Sequence, residues 1–373
     1  MKALQIHAGP GALRHLGLHG LQARHVRAIP AAAGGPKGLV LSPLDRFVFG
    51  EWLAGSTQTV HLLGASIGAW RMATACLAHA PRDADADIEQ MAHDYIHQTY
   101  EHAPGKAPTA RHVSDVFGAK LIERFSGREA QVLSHPRYRL HVFTSRGRGL
   151  LRREGRALSK ISTPLGYLGA FATNAVSRRA MGAWLERVVF SDPRDALPLH
   201  LQDYRTHTAA LAAANLQPSL LASCSIPFWL AAVHDIPGAP PGAYWDGGIT
   251  DYHLHLDYAS MNRDVRPSDE LALVLYPHFQ KTIIPGWLDK ALKHRHRATA
   301  YLDNVIVLSP RPEWVATLPG GKLPDRSDFK RFGDDIDARV KAWTRAVQES
   351  QRLRDEFATW AGGAGGGDVQ PLG

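Results

Sequence analysis

Ser66 lies in Gly64-Ala65-Ser66-Ile67-Gly68, after the apolar run Thr59 to Leu63 and before a helical run, Ala69 to Ala80, that stops at Pro81. A serine hydroxyl on a tight strand-to-helix turn stands clear of its neighbours. The helix behind it turns N–H groups and the positive end of its dipole toward developing negative charge. Glycines two residues to either side relieve the crowding of such a turn. The plain alternative for this G-x-S-x-G pattern is a βα turn that needs small residues and does no chemistry.

One strand upstream stands Gly34-Gly35-Pro36-Lys37-Gly38. Consecutive glycines let bare N–H groups approach a substrate oxygen, which is how an oxyanion is held; Pro36 has no N–H to offer. A phosphate-binding loop does not fit, because Lys37 is followed by Gly38 and Leu39 with no Ser or Thr, and G-x-G-x-x-G is missing as well. Asp246-Gly247-Gly248 follows Tyr244-Trp245 and alone reads as a turn. Ala222-Ser223-Cys224-Ser225-Ile226-Pro227 alone reads as a small-residue loop.

The elements that must carry these residues begin with a strand over Val26 to Ala32 and the glycine loop. A helix with apolar Leu41, Leu44, Phe47 and Val48 comes next, and then the strand leading to Ser66 and its helix. That order is a βαβ unit of a parallel sheet. Pro81 to Phe125 reads as mainly helical, Tyr138 to Thr144 as a strand, and Leu211 to Ser225 as a helix and turn. Leu271 to Tyr276 and Val305 to Leu308 read as buried strands, Asp334 to Trp360 as one charged amphipathic helix, and 362–373 as a flexible glycine-rich tail. Between Arg146 and Arg187 nine basic residues face only Glu154 and Glu186, a local charge of about +7, around the sparsely charged Ile161 to Val176. This segment reads as an inserted cap. It is equally compatible with a helix dipping into an anionic bilayer and with a buried helix bearing a solvated basic flank.

The four motifs, in this order, resemble those of the patatin-like phospholipase family: a glycine loop ending in a basic residue and glycine, G-x-S-x-G, A-S-x-x-x-P, and D-G-G. They span Val26 to Thr250. The resemblance implies a three-layer α/β patatin-like fold with a mostly parallel central sheet, one catalytic domain over 1–361 and a helical cap at about 145–190. It implies a Ser–Asp dyad, with Ser66 attacking an ester carbonyl, Asp246 as base, and the amides of Gly34 and Gly35 holding the oxyanion. Lys37, Gly38, Gly64, Gly68, Gly247 and Gly248 would complete the motifs. The expected activity is lipid acyl hydrolysis of the phospholipase or esterase kind through an acyl-enzyme, with no metal or organic cofactor. Thioester hydrolysis or acyl transfer on the same dyad, or an inert lipid-surface binding protein, are the alternatives. One departure is Ala33, where the family has a third glycine; alanine fits there only if φ is negative.

Composition narrows the remaining choices. Hydrophobic residues make up 45% and charged residues 21%, a globular balance. Two cysteines, Cys76 and Cys224, cannot build a disulfide framework. An α/β-hydrolase triad would draw on His253, His255, His278, His294 or His296, none of which stands out by context. The pairs His253/His255 and His294/His296 lack carboxylate or cysteine at ligand spacing, so no metal is expected. The net charge of +8 favours anionic partners, and Lys290, Lys293, Arg295 and Arg297 form a second basic patch after Trp287. No nucleic-acid motif accompanies that charge. No uninterrupted apolar stretch reaches membrane-spanning length, and the N-terminus lacks the apolar core of a signal peptide, so a cytoplasmic location, with peripheral membrane contact as an option, is expected.

Overall fold

Successive residues of the central strands feed two different cores, so the sheet is covered on both faces. In the computed structural model, which describes residues 1–101, 108–154, 159–266, 269–363 and 368–373, Leu62 joins one core while Leu63 joins the other. Ile306 and Leu308 likewise point one way, Val305 and Val307 the other. The first face is covered by helices Ile67–Ala75, Ala110–Phe125 and Ala213–Cys224, through Trp70, Phe117 and Leu220 among others. The second is covered by short turns that contribute Tyr252, Leu254, Tyr258, Phe279 and Ile283. This is a three-layer α/β arrangement around a mostly parallel sheet, as the resemblance implied.

Among the described residues the sheet has eleven strands: β1 (Leu4–Ala8), β2 (Val26–Ala31), β3 (Val60–Ala65), β4 (Tyr138–Gly147), β5 (Leu185–Ser191), β6 (Thr206–Ala210), β7 (Val233–His234), β8 (Ala243–Trp245), β9 (Leu273–Pro277), β10 (Val305–Pro310) and β11 (Val369–Pro371). The order is β11-β1-β10-β9-β2-β3-β4-β5-β6, with β8 joined to β4 and β7. Strands β10, β9, β2, β3 and β4 run parallel, and β5 and β8 are antiparallel to β4.

Two registers decide where the motifs meet. Ala31 pairs with Gly64, so the loop after β2 and the turn after β3 leave the same carboxyl edge side by side. Strand β3 occupies the flank of β4 as far as Phe143, and β8 takes over that flank from the opposite direction at Ser145. The ends of β3 and β8 therefore point at each other, and the residues just past them, Ser66 and Asp246, converge from opposite ends.

Several expectations are corrected. Pro81 does not stop the helix after Ser66, which already ends at Ala75; it opens the next one, Pro81–His97, where a missing N–H costs nothing. The long C-terminal helix is two, Ile336–Glu349 and Gln351–Gly362, broken at buried Ser350, whose hydroxyl donates to Val347 O. Within the tail read as flexible, residues 364–367 lie outside the described residues, but β11 pairs with β1 and Leu372 is buried. The cap is narrower than expected, because 145–147 and 185–190 belong to β4 and β5; its helical part spans Gly149–Leu151, Ser159–Val176 and Arg178–Met181.

Five of the seven basic residues of the 146–187 segment whose side chains are described, Arg146, Arg148, Arg153, Arg178 and Arg187, are ion-paired. Arg146 and Arg148 meet buried Glu186, Arg153 pairs with Asp235 at 2.5 Å, and Arg178 with Asp289 at 2.9 Å. Arg187 is fully buried between Asp203 and Asp251. Arg156 and the side chain of Lys160 lie outside the described residues, while Arg152 and Arg179 are exposed. No helix among the described residues is long and apolar enough to cross a membrane.

Candidate active site

Ser66 has φ 57° and ψ −130°, a conformation that an L-residue holds only when its surroundings force it. They do so through close packing. A Cβ on Gly68 would stand 1.9 Å from Ala31 O, and one on Gly64 would stand 2.3 Å from Ala69 Cα, so β2, β3 and the helix after Ser66 touch through bare backbone. The turn presents the Ser66 hydroxyl to Asp246, and Ser66 Oγ donates to Asp246 Oδ2 at 2.7 Å.

The acid is held as tightly. Its other oxygen, Oδ1, accepts the Gly248 N–H at 2.7 Å, and its backbone N–H donates to Ser225 O. Ser145 Oγ donates to Asp246 O, and a side chain on Gly247 would meet Phe143 O at 2.1 Å. The A-S-x-x-x-P stretch, which looked like a loop, braces the nucleophile. Ser223 Oγ accepts the Ser66 N–H at 2.9 Å and donates to Phe143 O at 2.7 Å. Burial pushes the Asp246 carboxyl up from its ordinary range. Arg326 opposes that most strongly, followed by the Ser66 and Gly248 hydrogen bonds and Lys290.

The glycine loop faces the same serine. Ala33 donates its N–H to Tyr252 O at 2.9 Å and is not among the positive-φ residues, which resolves the departure noted in the sequence. The N–H groups of Gly34 and Gly35 are engaged by no other group among the described residues, and both glycines line cavities that Ser66 also lines. Gly35 has φ 57°. Gly38 packs beside Ile67 and Arg71, and Lys37 lies with its Nζ 5.4 Å from the Phe279 ring centre.

Two cavities meet at Ser66. One, of about 460 Å³, is lined by apolar side chains including Tyr95, Val113, Phe117, Trp229 and Leu230. The other, of about 230 Å³, is lined by Lys37, Asp246, Tyr252, Lys290 and Asp325. Ser66, Ile226 and Arg326 line both. Lys290, Tyr252 and Arg326 were not candidates from the sequence: Lys290 was one member of a surface-type patch, and no motif marks Arg326. No signal in the chain could have shown that they flank Ser66.

The histidines stay apart from the dyad. His253 is buried, with Nδ1 against Thr282 O and the Ile284 N–H; His278 is buried against Gln280 O; His296 approaches Asp289 O. His255 approaches Thr299 Oγ1. Cys224 is buried in the wall of the apolar cavity, and burial holds its thiol well above the usual range, which keeps it protonated. Among the described residues no group of three or more metal-ligating side chains is gathered.

No family model and no curated protein sequence matches the chain. Among solved structures it is similar to VipD from Legionella pneumophila, at 12% identity and a TM-score of 0.37, over 95% of this chain and 70% of that one. It is also similar to human GIVD cytosolic phospholipase A2, at 12% identity and a TM-score of 0.35, over 95% and 67%. Any functional reading of this site therefore rests on the chain's own residues.

Proposed function

We propose that this chain is a lipid acyl hydrolase that cleaves carboxylic esters through an acyl-enzyme on Ser66, with Asp246 as its base. The observation that carries the reading is the 2.7 Å hydrogen bond from Ser66 Oγ to a buried carboxylate, made from a strained strand-to-helix turn. Ser66 Oγ attacks the ester carbon as Asp246 takes its proton, and the carbonyl oxygen becomes an oxyanion held by the Gly34 and Gly35 N–H groups. Collapse breaks the C–O bond, and the leaving alkoxide takes the proton from Asp246. Water then gives a proton to Asp246, attacks the acyl carbon and releases the acid, and Ser66 recovers its proton. The apolar cavity beside Ser66 suits an acyl chain.

A lipid surface as partner is supported by exposed apolar residues rather than by charge. Ile161, Leu165, Leu168 and Phe171 recur at three- and four-residue spacing along one helix and are 39–64% exposed. Buried Tyr167 of that helix packs edge-on against Phe228, which is exposed and held at φ 69° beside exposed Trp229, itself a wall of the apolar cavity. The helix that bears the stripe thus reaches, through Tyr167 on its buried side, the exposed Phe228 next to the cavity wall, so a lipid surface met by the stripe lies near the acyl-chain cavity. A panel of lipid esters assayed with wild type and Ser66→Ala tests the function. Hydrolysis by wild type alone is expected, and equal hydrolysis by both would reject it.

A further inference from the structure

The larger of the two cavities at Ser66 is not apolar throughout. Gln98 and Arg339 also line it, and they are 5% and 4% exposed. Each leaves a buried donor unused, because Gln98 Nε2 and Arg339 Nη1 meet no acceptor among the described residues. Arg339 Nη2 donates to Gln98 O at 2.7 Å, and the guanidinium lies 4.7 and 4.9 Å from the ring centres of Phe329 and Trp343. These contacts hold the group in place without neutralising it. Among the described residues Arg339 has no ion pair. The Asp328 carboxylate is taken by Trp343 Nε1 at 2.9 Å and Lys322 Nζ at 2.7 Å, and Asp335 accepts the Ala338 N–H. Asp334, which also lines the cavity, and Asp337 are exposed, and Arg326 and Lys330 in its walls are cations. Arg339 stands near the N-terminus of helix Ile336–Glu349, where the helix dipole disfavours positive charge. Desolvation lowers its pKa, with Tyr100, Tyr95 and Asp328 opposing, but a guanidinium keeps its proton in a protein. A buried, unpaired cation is costly, and an anion entering the cavity removes that cost. Aromatic rings separate this cation from the nucleophile. From Trp70, on the helix behind Ser66, ring centres step 6.1 Å to Tyr95 and 6.4 Å to Trp343, which Arg339 overlies.

We propose that Arg339 and Gln98 form a subsite for a carboxylate at the far end of the acyl chain, so that the preferred substrate is an ester of a dicarboxylic acid whose second carboxyl is free. The ester carbonyl lies at Ser66, the methylene groups run along the aromatic wall, and the distal carboxylate accepts from Arg339 Nη1 and Gln98 Nε2. Charge-assisted hydrogen bonds from a guanidinium are the strong kind, and a methyl-ended chain leaves both donors stranded. The proposal rests on Ser66 being the acyl acceptor but is testable without turnover.

The test is equilibrium binding to full-length Ser66→Ala, which leaves the ligand intact. The ligands are the monoethyl esters of adipic, suberic and sebacic acids, each against the ethyl ester of the monoacid of equal length, together with free octanoate. A distal carboxylate makes a chain more at home in water, so without a subsite it weakens binding. At the length that spans the cavity, the monoethyl ester is expected to bind about ten- to a hundredfold more tightly than its neutral partner, the range of one or two charge-assisted hydrogen bonds. Adding Gln98→Glu, which supplies the counter-ion from the protein itself, should erase that preference and raise Tm. Arg339→Met should erase it too; if that variant does not fold, Gln98→Glu, which keeps the side chain's shape, decides. Neutral esters binding as tightly at all three lengths, or a preference that survives Gln98→Glu, overturns the proposal. Octanoate binding as tightly as monoethyl suberate would also overturn it, because the subsite would then serve free fatty acid. Fluorophosphonate labelling of wild type reports separately on the nucleophile, so failure of either reading is visible by itself.

Discussion

Asp246→Asn separates base chemistry from architecture, because it keeps the shape of the side chain and removes only its ability to take a proton. The two carboxylate oxygens have distinct partners, Gly248 N–H on Oδ1 and Ser66 Oγ–H on Oδ2, each at 2.7 Å. An amide has one acceptor oxygen. If that oxygen keeps Gly248, the NH₂ group faces Ser66 and the serine proton has no acceptor. Loss of a positioned general base costs about 10²- to 10⁴-fold, or roughly 3–5 kcal/mol of barrier, and kcat/KM on a soluble short-chain ester should fall by that much. Stability should move the other way. Burial raises the Asp246 pKa in the fold, so the stability it contributes is present below its unfolded pKa and lost as pH rises through the folded one. Near pH 7 the buried carboxylate is a cost that a neutral amide avoids, and the Tm of Asp246→Asn should equal or exceed that of wild type. In wild type the acid limb of kcat/KM should lie above the ordinary carboxylate range. His253→Ala, which removes a ring that does not touch Ser66, should retain activity per folded molecule. Silencing by His253→Ala together with a fully active Asp246→Asn would refute the dyad and restore a histidine base.

Gly68→Ala should lower Tm sharply and abolish activity, because its Cβ would stand 1.9 Å from Ala31 O and neither backbone can give way; a thermal melt checks this. Arg187→Ala, which leaves the buried Asp251 carboxylate with only Arg178 at 4.0 Å, should cost about 3–5 kcal/mol in a denaturant titration. Leu165→Ser with Leu168→Ser should reduce vesicle binding by roughly tenfold or more while leaving Tm in place, given the apolar area each leucine offers. That binding should persist in molar salt, where the Debye length is about 3 Å; co-sedimentation that collapses with salt would return the contact to basic residues.

The sequence made the motif-bearing elements legible because each is local: an apolar strand, a turn of small residues, a helix. Ser66, Asp246, Gly34 and Gly35 could be picked out, but what joins them is the changeover on the β4 flank, a pairing between residues far apart in the chain. The pairing of charges in the 146–187 segment was hidden for the same reason. Its arginines look unbalanced locally, yet Asp203, Asp235, Asp251 and Asp289 neutralise three of them from outside the segment. The helix break at Ser350 and the edge strand β11 also escaped, since a polar residue in an amphipathic pattern and a short run after glycines have no periodic signature. Ser223 was visible only through the resemblance, and its bracing hydrogen bonds only in three dimensions.

The most direct test of the central claim is peptide mapping of the chain after treatment with a fluorophosphonate, which forms a stable adduct only with an activated serine. The expected result is one adduct, on the peptide containing Ser66, absent from Ser66→Ala and strongly slowed in Asp246→Asn. An adduct on Ser223 or Ser225, or labelling of Ser66 that is unchanged by Asp246→Asn, would contradict the account.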